Sequence, residues 1–182
     1  MKTSDEGIEL IKGLEGCSLK AYRDADGYSV GYGHFGVSAG TVITQDEAEE
    51  LLRGDLYAAE RAVERHCAGL SQRQFDALVS LCYNIGSGAF GRSTVVRLIR
   101  EGGPAPRAEL RTAWQMWNKS QGKVLDALVR RRNAEYDYYA SQDILAGKKK
   151  LLLTAALLLA VASITAILSK RLINKTQTWE QS

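Results

Sequence analysis

Hydrophobic residues along this chain change their spacing several times, and each change predicts a different kind of element. Ile8, Ile11 and Leu14 recur at helical intervals, and Thr3-x-x-Glu6 ahead of them reads as a capping box, in which a hydroxyl and a carboxylate satisfy free amides at a helix start. That short helix ends at Gly16. Thr44-x-x-Glu47 repeats the signature before Ala48, Leu51, Leu52, Leu56, Ala59 and Val63, one face of a longer amphipathic helix. Ser71-x-x-Gln74 opens a third, where Phe75, Leu78, Val79, Leu81 and Cys82 leave almost no polar side. A helix apolar nearly all round belongs in a core. Ser93–Ile99 predicts a short helix. Pro104 and Pro106 then reopen the chain, with Pro106 as an early helical position before Leu110, Trp114 and Trp117. Val124–Tyr139 closes this series, with Arg130–Arg132 as a solvated face.

Between the first two helices the period shortens. Lys20–Arg23, then Asp24-Ala25-Asp26-Gly27, then Tyr28–His34 reads strand, turn, strand, because Asp-Gly is a strong hairpin signal. Gly31 and Gly33 suit a small twisted sheet beside a cleft. The expected fold is α+β, with a small sheet lobe near the N-terminus followed by a mainly helical lobe.

A third texture begins after residue 145. Leu151 to Leu168 is an 18-residue run without charge, in which Thr154, Ser163 and Thr165 are the polar members. As a helix it would span roughly 27 Å, close to the ~30 Å of a bilayer's hydrocarbon core. Lys148–Lys150 precede it, and Lys170 and Arg171 follow it, as snorkelling residues would at two headgroup layers. The expected division is therefore a globular domain over 1–145 and a membrane segment with basic flanks over 146–182, its apolar core a single hydrophobic helix over 151–168. The charge agrees. The whole chain of 182 residues carries a net +3, yet residues 1–145 hold 18 Lys+Arg against 20 Asp+Glu, so the positive excess sits around the apolar run. That placement argues against nucleic acid as a partner. Met1–Glu6 is acidic and lacks the apolar core of a secretory signal. The basic flanks are balanced, and orientation across the membrane stays open.

Three cysteines (Cys17, Cys67, Cys82) and two histidines (His34, His66) are too scattered for a disulfide scaffold or a structural metal site, so three free thiols, no metal and no cofactor are expected. Chemistry has better candidates near the hairpin. Glu15 ends the first helix and Asp24 ends the first strand. Two carboxyls facing each other across a groove are what glycosidic cleavage needs, one as proton donor and one ionised. On composition alone, the favoured reading of the pair is the plain one, Asp24 as a turn residue and Glu15 as a solvated helix end.

A longer pattern adds to this. Leu14-Glu15-Gly16-Cys17-Ser18-Leu19-Lys20-Ala21-Tyr22-Arg23-Asp24, followed by Gly31-Tyr32-Gly33-His34, resembles the signature of the phage lysozymes, glycoside hydrolase family 24. Gln45–Asp55 resembles the family's Ala-x-x-Leu-Leu-x-x-Asp helix. Tyr83–Phe90 with Ser93-Thr94, and Trp117-Asn118 through Glu135, resemble its later segments. The resemblance covers about residues 5–140 and implies a lysozyme-like fold acting on peptidoglycan at the β-1,4 bond between N-acetylmuramic acid and N-acetylglucosamine. It implies Glu15 as general acid, Asp24 as second carboxylate, and a hydroxyl that positions water. The family's Thr falls on Val30 by ungapped counting, and the nearest hydroxyl, across a loop one residue shorter, is Ser29. His34 is expected to bridge the lobes and Asn84 to line the cleft. Trp114 and Trp117 could stack on sugar rings, but Trp at that spacing is more often core. The shortened loop leaves lytic transglycosylation as the alternative reaction, and a silent glycan-binding membrane or virion protein as the alternative class. The expected setting is the host inner membrane, anchored through 151–168, with periplasmic peptidoglycan as substrate and other phage lysis or virion proteins as further partners. Carriage in the virion is the alternative location.

Overall fold

The computed structural model describes residues 1–24 and 26–141, which belong to one compact unit, Met1–Gln142. The expected helix over 151–168 and the boundary at 145 lie outside the described residues. Among the described residues no helix is long and apolar enough to cross a membrane.

Helix α1 (Asp5–Glu15) leads into a three-stranded antiparallel sheet, β1 (Ser18–Asp24), β2 (Gly27–Gly31) and β3 (His34–Phe35). Helix α2 (Gln45–His66) then runs from the sheet into the helical lobe, where α3 (Gln72–Ile85), α4 (Ser87–Gly91), α5 (Thr94–Gly102) and α6 (Ala108–Gln115) follow. A two-stranded hairpin, β4 (Lys119–Ser120) with β5 (Lys123–Val124), precedes α7, which covers 126–141. The architecture is the expected α+β, a small sheet and a mostly helical body. The hairpin is a departure from the expected continuous helix from Val124. Gln121 (φ 49°) and Gly122 (φ 77°) both take left-handed backbone there, as a tight hairpin turn requires.

Two of the three capping boxes form as read: Thr44 with Glu47 opens α2, and Ser71 with Gln74 opens α3. The third does not. Ser4, not Thr3, caps α1, its hydroxyl accepting from the Gly7 amide at 3.1 Å. Thr3 is instead drawn to α2, where its amide and hydroxyl donate to Glu60 Oε1 at 2.8 and 2.9 Å. Pro106 likewise precedes the helix start, because Arg107 is the first residue of the α6 cap.

The core forms around α3, which is buried from Gln74 to Cys82. Leu52 and Leu56 reach it from α2, Phe90 from α4, Val95 and Ile99 from α5, Leu110 and Trp114 from α6, and Tyr136 and Tyr139 from α7. Fully burying each large apolar side chain contributes about 1.5–3 kcal/mol. Trp114 is completely buried and packs edge-on to Tyr136, its ring centroid 5.8 Å away, which places it in the core rather than on a sugar.

Candidate active site

Glu15 owes its position to both ends of α1. At the start, the Ser4 amide and hydroxyl donate to the two oxygens of Asp76, a fully buried carboxylate on α3, at 3.0 and 2.5 Å. Gly7 allows this approach: a Cβ there would lie 2.6 Å from Asp76 Cγ. At the other end, Gly16 breaks the helix with φ 73°, a conformation that suits glycine, and its amide still reaches Lys12 O at 3.2 Å. Glu15 is therefore the last helical residue. It opens into a cavity of about 260 Å³ lined also by Tyr22, Gly31 and Tyr32.

Its carboxylate is only 20% exposed, and Oε1 accepts from Arg131 Nη2 at 2.6 Å. Arg131 and Arg132 are buried, contrary to the expected solvated face; Arg130 is the exposed member of the run. Arg131 Nε donates to Glu135 Oε1 at 3.0 Å, and Glu135 also accepts from Arg132, Ser80 and the Trp114 indole. Arg132 Nη2 donates to Asn84 Oδ1 at 2.9 Å. A continuous chain of charge-assisted bonds thus runs Glu15–Arg131–Glu135–Arg132–Asn84. Burial alone would lower the Arg131 pKa, but the bond to Glu15 and the charges of Glu15 and Glu135 outweigh it, and the value is raised. Arg132 is more deeply dehydrated and sits beside Arg131, so its pKa falls to about 10. Arg132 Nε lies 3.0 Å from Glu135 Oε2 without hydrogen-bond alignment, and Nη1 has no partner among the described residues.

The second carboxylate comes from the sheet. Pairing of β1 with β2 sets Tyr22 opposite Ser29 and Asp24 opposite Gly27. The Ser29 hydroxyl crosses this register to donate to Asp24 Oδ2 at 2.8 Å. Ser29 and Val30 are both fully buried. Asp24 lies just beyond the strand residues that line the Glu15 cavity. His34, on β3, places Nδ1 3.0 Å from both oxygens of Asp55 in the middle of α2. A carboxylate only accepts, so the proton sits on Nδ1. The contact joins sheet to helix. Tyr83 adds a second tie, its hydroxyl donating to Tyr32 O at 3.2 Å, and burial pushes its pKa up.

The structure therefore brings Glu15 and Asn84 into one network, pairs Asp24 with Ser29, and ties His34 to Asp55. Sequence reasoning missed Arg131, Arg132, Glu135 and Asp55 as partners. The signal for the first three was present: Leu128, Tyr136 and Tyr139 mark the inward face of α7, and Arg132 and Glu135 share it. All three cysteines are free, with Cys17 exposed at the cavity rim and Cys67 and Cys82 buried.

The phage lysozyme family profile matches residues 12–135, the stretch that contains Glu15, Asp24, Ser29, His34, Asn84 and Arg131. The chain belongs to the phage lysozyme family. It is 43% identical over 147 residues to an endolysin of Bacillus phage PZA, a match covering 78% of this chain and 56% of that protein. The chain thus spans about half the length of that curated relative. The endolysin of Salmonella phage P22 is 38% identical over 149 residues, 78% of this chain and 99% of its own length. Among solved structures, the muramidase domain of SpmX from Asticaccaulis excentricus is 41% identical, with TM-score 0.70, covering 76% of this chain and 97% of that one.

Proposed function

We propose that this protein is a muramidase that hydrolyses the β-1,4 bond between N-acetylmuramic acid and N-acetylglucosamine in bacterial peptidoglycan. The observation that carries the reading is the helix-end carboxyl of Glu15, held from behind by Arg131 in an open cavity, with a second carboxyl, Asp24, on the adjoining sheet. In this reading Glu15 donates a proton to the leaving oxygen. Arg131 occupies Oε1, so Oε2, which has no partner among the described residues, is the oxygen that takes up a proton and delivers it. The carboxylate left after donation faces a guanidinium that stabilises it. Asp24 stays ionised to stabilise the positive sugar or activate water, with Oδ2 fixed by Ser29. His34 and Asn84 act as positioning residues, one joining sheet to α2 and the other closing the Arg132 chain.

The membrane tether belongs to this proposal as well. The apolar run 151–168 with its basic flanks would hold the enzyme at the host inner membrane, next to periplasmic peptidoglycan, in the company of other phage lysis or virion proteins.

Asp24→Asn and Ser29→Ala test the division of labour. Asp24→Asn removes a charge and should be severely impaired on purified peptidoglycan. Ser29→Ala removes one hydrogen bond, worth about 1.5–3 kcal/mol when the acceptor is charged, and should be slowed in part. Near wild-type activity for Asp24→Asn, with products ending in anhydromuramic acid, would replace hydrolysis by lytic transglycosylation.

A further inference from the structure

Charge divides along this chain. Residues 1–64 carry six Lys+Arg against thirteen Asp+Glu, whereas residues 65–141 carry twelve against six. Four arginines of the cationic part gather where the end of α2 meets α4 and α5. Two cavities there, of about 390 and 310 Å³, share Gly91 and Arg92. Arg92, Ser93, Arg97, Arg100 and the carboxylate of Glu101 line the first; Arg65, His66 and Arg92 line the second. All four arginines are exposed. Arg97 has a carboxylate partner, Glu101 Oε2 at 2.7 Å. Arg65, Arg92 and Arg100 form no ion pair or hydrogen bond among the described residues. Gly91 lets the two cavities meet, because a Cβ there would sit 2.7 Å from His66 Nε2.

Soluble surfaces usually interleave charges of both signs, and a cluster of unpaired cations repels itself until an anion is shared among them. Guanidinium forks present paired donors that match the oxygens of phosphate, as they do those of a carboxylate. Exposed arms side by side fit phosphates presented on a surface more than one ion enclosed in a pocket. The corner is separate from the Glu15 cavity, with which its two cavities share no lining residue.

We propose that the Arg65, Arg92, Arg97 and Arg100 corner binds phosphate groups, and that their source is the headgroup layer of anionic phospholipid. The lipid source rests on the membrane part of the proposed function, whereas the phosphate chemistry stands without it. Such a contact would lay one side of the helical lobe on the bilayer surface and leave the Glu15 cavity free.

The test uses the full chain in neutral detergent micelles, followed by amide and Arg Nε–H nuclear magnetic resonance. Inorganic phosphate is titrated against chloride at matched ionic strength. Saturable shifts confined to residues 88–101 and the arginine side chains are expected with phosphate, at a dissociation constant of about 1 mM, and not with chloride. Arg65→Gln/Arg92→Gln/Arg100→Gln should weaken binding at least tenfold and leave peptidoglycan clearing unchanged. Equal shifts with chloride, or an unweakened triple variant, would overturn the proposal. Micelles doped with phosphatidylglycerol should compete with phosphate for the same resonances. Binding of phosphate without that competition would contradict the lipid source. Peptidoglycan clearing by the unsubstituted chain is read separately, so failure of the muramidase reading cannot be confused with failure of this one.

Discussion

Arg132 is fully buried, and so is the carboxylate it leans on. Two buried guanidiniums are tolerable only while Glu135 accepts from both, because a buried charge without its partner keeps its full dehydration penalty. Glu135→Gln should therefore cost about 3–5 kcal/mol, visible as a large fall in the urea midpoint with little change in its slope. A loss under about 1 kcal/mol would show that Arg131 and Arg132 find other partners. The helical spacing that marks this network is overridden in the sequence by a second, stronger signal. Three consecutive arginines read as a solvated charge run, and only Arg130 obeys that reading. Glu15 and Asp24 were legible because helix end and hairpin are local features. The partner of Glu15, Arg131, lies 116 residues away, and the contact depends on tertiary packing.

At the scale of elements, the start of α1 is the joint on which Glu15 depends. Glu60 lies buried on α2 and accepts from the Thr3 amide, the Thr3 hydroxyl and Lys2 Nζ. Burial alone would raise its pKa, but these bonds prevail and lower it. A carboxylate lowered in the folded state stabilises fully above its unfolded value of about 4.3 and loses that contribution as pH falls through the folded value. Denaturation at about pH 7 and about pH 3 should therefore show a smaller acid loss for Glu60→Gln than for the unsubstituted chain. An equal loss would assign acid sensitivity elsewhere. Ser4→Ala should lower the unfolding free energy by about 2–4 kcal/mol, because it removes both the cap and a bond to the buried Asp76 carboxylate. Sequence placed that cap one residue early, since Thr3 and Ser4 both suit the role and the distant carboxylates, Glu60 holding Thr3 and Asp76 holding Ser4, decide between them. The β4–β5 hairpin escaped detection because two-residue strands are too short to show alternation.

The whole molecule was the most legible level. Alternating helix signals around one hairpin gave the α+β class, and the order of motifs gave the family. The wide spacing of acidic and basic arginine-rich parts was concealed by a near-neutral sum. The tether has its own test. Burial of about 18 mostly apolar residues outweighs surface attraction of roughly 1 kcal/mol per basic group, so the full chain should stay in the membrane fraction through high salt and carbonate. Deleting residues 147–182 should release a soluble enzyme that still clears peptidoglycan. Aggregation or loss of fold on that deletion would place the apolar run in the domain core instead. The central claim, that Glu15 is the acid of a muramidase, is tested most directly by digesting purified peptidoglycan with the unsubstituted chain and with Glu15→Gln, then assaying newly formed reducing ends. New ends should be muramic acid, and Glu15→Gln should form them roughly 10³-fold or more slowly while its circular dichroism and urea midpoint show a folded protein. A folded Glu15→Gln protein that cuts at near the unsubstituted rate would contradict the account.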